Sequence, residues 1–356
     1  MVTIELPGDP SSALALLAPV GLAGILDEAG LGPAYLQWTF DETESSLPAR
    51  PSRAQVRCAA TSVDDIAAAV RRHAERHLRT DSWMQARIEG LSNSGKALFS
   101  PRSSVKPDDW PGYLAQRETA LDRSANGMTS LDWALLAGLG EPAWWNAGTR
   151  DAKPDKGASR WEMQLRANGR EIVSDRLNKL ADAVVRLSSA TVARSLVGDD
   201  VVDACGQEAK CRCSSGLTPP GPTDCVQAWL GLWGLASLPV VPVLESGRPS
   251  FGWSQSPGMG PGGRRFPTDA ALPVIVGPRT WRSFRALMQT RQFLDVAAQA
   301  WRSEAGATKA NSDPQVGASR AWLREQNVIS IIRFTVHASA AQNPELQLRP
   351  GSRDRL

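Results

Sequence analysis

Apolar residues recur at helical spacing through "DPSSALALLAPVGLAGILDEAG", which predicts a helix capped by Ser11 or Ser12 and ended by Gly30. "AYLQWTF" then alternates apolar and polar positions, the period of a half-buried strand, and "AQVRCAA" predicts a second strand. Thr61 or Ser62 is placed to cap "VDDIAAAVRRHAERHLRT", whose acids fall in the first turn and whose arginines fall near the end, as the helix dipole favours. A similar order returns later. "DCVQAWLGLWGLASLPVVPV" reads as helix then strand, "PSFGWS" and "ALPVIVG" as strands, and "RTWRSFRALMQTRQFLDVAAQAWRSE" as a long helix. Aligning the two stretches sets Gly21-Leu22-Ala23 on Gly234-Leu235-Ala236 and Trp38-Thr39 near Trp253-Ser254.

These elements predict an α+β fold, with duplicated helix–strand units flanking a mostly helical middle region. The expected boundaries are 1–91 for the first unit, 92–224 for the middle, 225–340 for the second unit and 341–356 for a frayed tail. True duplicates would superpose 13–80 on 226–302. In the middle, "GMTSLDWALLAGLG" and "GREIVSDRLNKLADAVVRL" predict helices. Segments rich in Gly, Pro and Ser, at 92–112, 146–160, 198–224 and 254–273, are expected loops. "NVISIIRFTVHAS" is β-branched and predicts a strand near the C-terminus.

The chain has 356 residues, 40 basic and 37 acidic side chains and a formal charge of +3. That balance does not imply a general electrostatic grip on nucleic acid. The charge is uneven, however: residues 1–50 carry seven acids and one arginine, whereas 264–302 is rich in arginine. No apolar run approaches the roughly 20 residues that span a bilayer, and "MVTIELPGDP" lacks the features of a secretion signal. With five cysteines, an odd count in a chain this long, a disulfide scaffold is not expected either. A cytoplasmic protein without a membrane partner is the expectation. Most of the 13 tryptophans are expected in the core.

Candidate chemistry is sparse. Gly258, Gly260 and Gly263 in "SPGMGPGGRRFP" match G-x-G-x-x-G. A dinucleotide loop needs a strand before it and a helix directly after it, and "RRFPTDAALP" does not begin a helix. The stretch reads instead as a mobile arm carrying Arg264 and Arg265 toward a phosphate backbone or an acidic partner, or as an ordinary solvated loop. "GASRWEMQLRANGREI" predicts a strand with Arg160, Arg166 and Arg170 as phosphate contacts and Trp161 as a stacking platform, against the plainer reading of a solvated edge strand. Arg279, Arg282 and Arg285 fall on or beside one helix and line one side of a candidate basic groove, or a solvated face.

Cys205, Cys211, Cys213 and Cys225 lie close together but lack paired C-x2-C knuckles, so a reduced, zinc-free protein is expected. His73 and His77 stand four apart, but "HAERH" is not H-E-x-x-H, and a solvated helix end is expected there. Asp199, Asp200 and Asp203 lack a nucleotide-binding motif beside them. Neither a G-x-x-x-x-G-K-[ST] phosphate loop nor a G-x-S-x-G elbow occurs. The residues support no catalytic role and no cofactor.

The segments "SALALLAPVGLAGILDEAG…LQWTF" and "GLTPPGPTDCVQAWLGLWGLASLPVVPV" resemble accessory and large-subunit proteins of type I-G (formerly I-U) CRISPR–Cas systems. The resemblance rests on Ala13–Leu22, Trp38 and Ala228–Pro242, with "RWEMQLRANGREI" in the place of a basic, Gly-containing strand. It covers a minority of the chain and brings no catalytic signature. It implies a non-catalytic subunit of an RNA-guided effector complex in antiviral defence. The implied partners are other effector subunits and guide RNA or target DNA. The alternative is a protein-interaction module that docks on a nuclease-helicase without touching nucleic acid.

Overall fold

A computed structural model describes residues 1–40, 51–100, 105–139, 172–204, 215–219, 221–238, 253–260, 264–304, 314–338 and 346–356. The fold is α+β, as expected. The N-terminal unit runs β1 (Val2–Leu6), α1 (Ala13–Glu28), β2 (Tyr35–Phe40), β3 (Pro51–Cys58), α2 (Val63–Leu78). Its strands form one antiparallel sheet in the order β1-β3-β2. A helix that returns the chain so that a later strand can slot between the first two is the split βαβ connection. Alternation decides which face is covered: Ile4, Leu6, Leu36, Trp38, Ala54, Val56 and Cys58 are buried on the helix side. Ser12 caps α1 by accepting from the Ala15 N–H, and Ser62 forms a capping box with Asp65 at the start of α2.

The middle supplies α3 (Trp110–Ser124), α4 (Ser130–Leu139), a π-helical turn (Ile172–Leu177) leading into α5 (Asn178–Arg186), and α6 (Ser189–Val197). The second unit then repeats the order helix, strand, strand, helix: α7 (Cys225–Gly234), β4 (Trp253–Gly260), β5 (Arg264–Ile275), α8 (Trp281–Met288) and α9 (Arg291–Glu304). After α10 (Pro314–Glu325) comes β6 (Val328–Ala338), which pairs with β5 antiparallel. β5 thus holds β4 on one side and β6 on the other, as β3 holds β2 and β1.

α1 and α7 form the centre of the core. Every residue of α7 is buried, as is α1 from Ala13 to Leu26. Helices apolar all round need partners on all sides. They meet at the two glycines that the sequence alignment equates. A Cβ on Gly21 would run into the Leu230 carbonyl and stand 2.8 Å from the Gly234 nitrogen, and one on Gly234 would run into the Leu17 carbonyl. The contact is reciprocal: each glycine faces the carbonyl four residues before its counterpart. Glycine allows this backbone-to-backbone approach.

Two expectations change. The 254–273 stretch, expected as a loop with a mobile arm, has the backbone of a β4–β5 hairpin, with Met259 opposite Arg265 and Gly260 opposite Arg264. The apolar strand that ends at Ile275 extends back through Arg264 because β4 and β6 pair along it. The tail, expected to fray, adds β7 (Leu346–Leu348) and β8 (Ser352–Arg355), both paired with β6. The Arg320–Asp354 ion pair at 2.9 Å and the bond from Gly351 N–H to the Ser11 carbonyl at 2.7 Å fasten it.

Candidate nucleic-acid interface

The arginines singled out in the sequence have different fates. Arg160, Trp161, Arg166 and Arg170 lie outside the described residues, as do Cys205, Cys211 and Cys213. Arg264 and Arg265 begin β5, and only their backbone is described. Arg279 is a structural clamp. Its backbone pairs with Leu36 in both directions, joining β2 to the start of α8, at 2.7 and 2.9 Å. Its guanidinium donates to the Gln326 carbonyl at 2.7 Å, the Gln326 side chain at 2.9 Å and Ser283 Oγ at 3.0 Å. Burial lowers the pKa of Arg279, and likewise that of Arg285, whose Nε is buried without a hydrogen-bond partner among the described residues. Arg282 alone of the three is exposed, and its guanidinium lies 5.1 Å from the centre of the buried Trp281 ring. The groove expected from Arg279, Arg282 and Arg285 together is therefore not built, because two of the three side chains turn into the protein.

The sequence reading missed a polar face. The strand alternation that buries Leu36 and Trp38 sends Tyr35, Gln37 and Thr39 to the other side of the sheet. There they meet Arg53, Gln55 and Arg57 of β3 and Thr3 and Glu5 of β1. The Arg57 guanidinium sits over the Tyr35 ring at 5.6 Å. Beside this pair runs an amide row. Gln37 Nε2 donates to Gln55 Oε1 at 3.3 Å, and Gln55 Nε2 donates to Glu5 Oε1 at 2.9 Å. Arg53 and Arg57 are exposed; Glu5 lies 3.8 Å from Arg53. The signal was present in "AYLQWTF" and "SRAQVRC": the positions that alternate with the core are all polar or aromatic.

A second polar centre is internal. His73 and His77, expected at a solvated helix end, are buried, because α2 turns that face onto Trp229 and Trp233 of α7. Neither His73 nitrogen has a hydrogen-bond partner among the described residues. Its pKa falls well below the ordinary 6.5, first through burial and then through His77 and Arg76. His77 is lowered likewise, by burial and then Arg76. Asp132 of α4 is buried and receives four donors: Trp83 Nε1 at 2.9 Å, the Thr129 N–H and hydroxyl at 2.8 Å each, and Arg76 Nη1 at 2.9 Å. Arg76 also faces Glu28, whose carboxyl is raised above its ordinary range chiefly by burial.

This centre contains a string that looks catalytic. Ser82 lines an open groove of 610 Å³ between the end of α2 and α3. Ser82 Oγ is 3.2 Å from His77 Nδ1, and His77 Nε2 is 3.4 Å from Asp132 Oδ1. Nucleophile, base and orienting acid follow in order. The protons run the wrong way, however. Arg76 Nη2 is 3.0 Å from His77 Nε2, and a guanidinium only donates, so Nε2 accepts. A neutral His77 then carries its proton on Nδ1 and donates to Ser82 Oγ. A ring protonated on the side facing the hydroxyl cannot take the hydroxyl's proton. Ser82 instead serves as a cap, accepting from the Met84 N–H at 3.3 Å.

Among the described residues no group of three or more His, Cys, Asp or Glu side chains forms a metal site, and no helix is long and apolar enough to cross a membrane. Cys225 opens α7 and is buried. No family model, curated protein or solved structure matches this chain.

Proposed function

We propose that the protein is a non-catalytic, nucleic-acid-contacting subunit of an RNA-guided effector complex of the CRISPR type, working in the cytoplasm beside other effector subunits and guide RNA or target DNA. The observation that carries the reading is the placing of exposed arginines on aromatic rings, Arg282 on Trp281 and Arg57 on Tyr35. Held over a ring, a guanidinium is partly ordered before it meets a phosphate, so less side-chain freedom is lost on binding. The proton direction at Ser82 and His77 favours binding over hydrolysis. The resemblance of Ala13–Leu22, Trp38 and Ala228–Pro242 points to the effector setting.

The test is a salt titration of nucleic-acid binding by the protein assembled with its partner subunits. Arg282→Ala is expected to weaken binding and to lower the slope of log affinity against log salt by about one, since each phosphate contact releases condensed counterions. Equal affinity and equal slope for wild type and variant would remove Arg282 from the interface. One feature favours the runner-up, a docking module that never meets nucleic acid: Trp133 of α4 is 43% exposed. Loss of subunit assembly in Trp133→Ala, with no nucleic-acid binding by the wild type either free or assembled, would favour that role over the first.

A further inference from the structure

We infer that the outer face of the β1-β3-β2 sheet is a platform for a single-stranded nucleic acid, with the Arg57 guanidinium as the layer on which a base stacks. The inference rests on the nucleic-acid reading above and adds the site and the strandedness. Three observations carry it. First, the exposed Arg57 guanidinium lies over the Tyr35 ring, 5.6 Å from its centre, and bases stack on guanidinium planes as well as on aromatic rings. Second, the adjoining row offers amides. Each Gln side chain has two donor hydrogens and two acceptor lone pairs, and the contacts Gln37–Gln55–Glu5 use only part of that capacity, so base edges have groups to meet. Third, the charge fits an anionic strand: Arg57 and Arg53 lie on either side of the amide row, against one carboxylate, Glu5.

Together these select a single strand over a duplex. In a duplex the base faces are covered by their neighbours, and only groove edges are open. A helix or a two-stranded ribbon fits the major groove, whereas a broader sheet face meets base edges in a duplex only by bending or widening it. An unpaired strand lying across the face presents both base planes and phosphates.

The experiment uses the full chain and fluorescein-labelled oligonucleotides of one sequence, as single-stranded RNA, single-stranded DNA and duplex DNA, read by anisotropy. The wild type is expected to bind a single strand more tightly than the duplex, and the two single-stranded arms show which sugar is preferred. Arg57→Lys keeps the charge and removes the plane. It is expected to lower single-strand affinity about tenfold with the salt slope unchanged. Tyr35→Ala is expected to lower affinity similarly, and Tyr35→Phe to retain it. Both residues changed, Arg57 and Tyr35, lie off the core face, so circular dichroism and the thermal midpoint of the three variants should match wild type.

Duplex bound as tightly as single strand, or wild-type affinity in Arg57→Lys and Tyr35→Ala, overturns the platform. If Arg282→Ala still weakens binding in that case, the broader nucleic-acid reading survives. If the wild type binds none of the three oligonucleotides, both fall.

Discussion

Replacing Gly21 with alanine places one methyl group where two backbones touch. Its Cβ would meet the Leu230 carbonyl oxygen, lie 2.8 Å from the Gly234 nitrogen and lie 2.9 Å from the Leu230 carbonyl carbon. None of these is the end of a flexible side chain, so relief requires α1 and α7 to move apart. Overpacking a tight core costs about 1–3 kcal/mol and sometimes more, and a contact with backbone belongs at the upper end. Alanine in a helix interior returns about 1 kcal/mol through propensity. The net expectation is a loss of about 2 kcal/mol or more. Gly317 supplies the control: it lies inside α10, is exposed, and has nothing within 4 Å of its Cβ position. Gly317→Ala should therefore be neutral or stabilising by up to about 1 kcal/mol. Urea unfolding of both variants beside wild type measures the difference as shifts in midpoint at constant slope. The combined Gly21→Ala and Gly234→Ala variant should lose less than the sum of the single losses, because one separation of the helices relieves both clashes. A Gly21→Ala variant as stable as Gly317→Ala would refute the reciprocal crossing.

The remaining expectations concern buried polar groups. His73 and His77 have folded pKa values depressed below 6.5, so the unfolded chain binds their protons first. Keeping them neutral adds no proton-linked cost above pH 6.5, and stability falls as the pH drops below it, with a slope of up to about 1.4 kcal/mol per pH unit for each histidine. The raised carboxyl of Glu28 works in the opposite direction, over a window that opens at its ordinary value of 4.5 and extends upward from there. Urea midpoints between pH 7 and 5.5 check this, and a flat profile counts against the burial of the pair. His73→Phe should be close to neutral in stability at pH 7 and reduce the slope, because it removes nitrogens that have no partner among the described residues; His77→Phe should destabilise, because Arg76 and Ser82 lose a partner. Arg279→Ala should cost about 2 kcal/mol through the lost charge-assisted bonds to Gln326, whereas Arg282→Ala should stay within about 0.5 kcal/mol of wild type.

The elements of the two units were legible because their patterns are strong and local. Ser12 and Ser62 cap where the sequence places them, and "AYLQWTF" alternates as a strand. The hairpin at 253–275 was not legible: Gly258, Gly260, Pro261 and Gly263 signal a loop, and the pairing with β6 that extends β5 comes from residues more than 50 positions away. The burial of His73 and His77 was hidden for a similar reason. "RRHAERH" is as polar as a solvated helix end, and only the Trp229 and Trp233 rings arriving from α7 make those two positions interior.

Arginine spacing has the same limit for function. Arg279, Arg282 and Arg285 are neighbours by count, but what decides whether each can meet a ligand is the supply of acceptors around it. Gln326, at the C-terminal end of α10, offers a helix-end carbonyl and a side-chain oxygen within 2.9 Å of Arg279, so that guanidinium is committed to the fold. Among the described residues, Arg282 meets only the ring of Trp281, and Arg57 only that of Tyr35. A ring face holds a guanidinium plane without consuming its hydrogens. Those hydrogens stay available, so under the proposed function the arginines on rings, rather than the arginines in a row, are the ones to test for contact with a phosphate or a base.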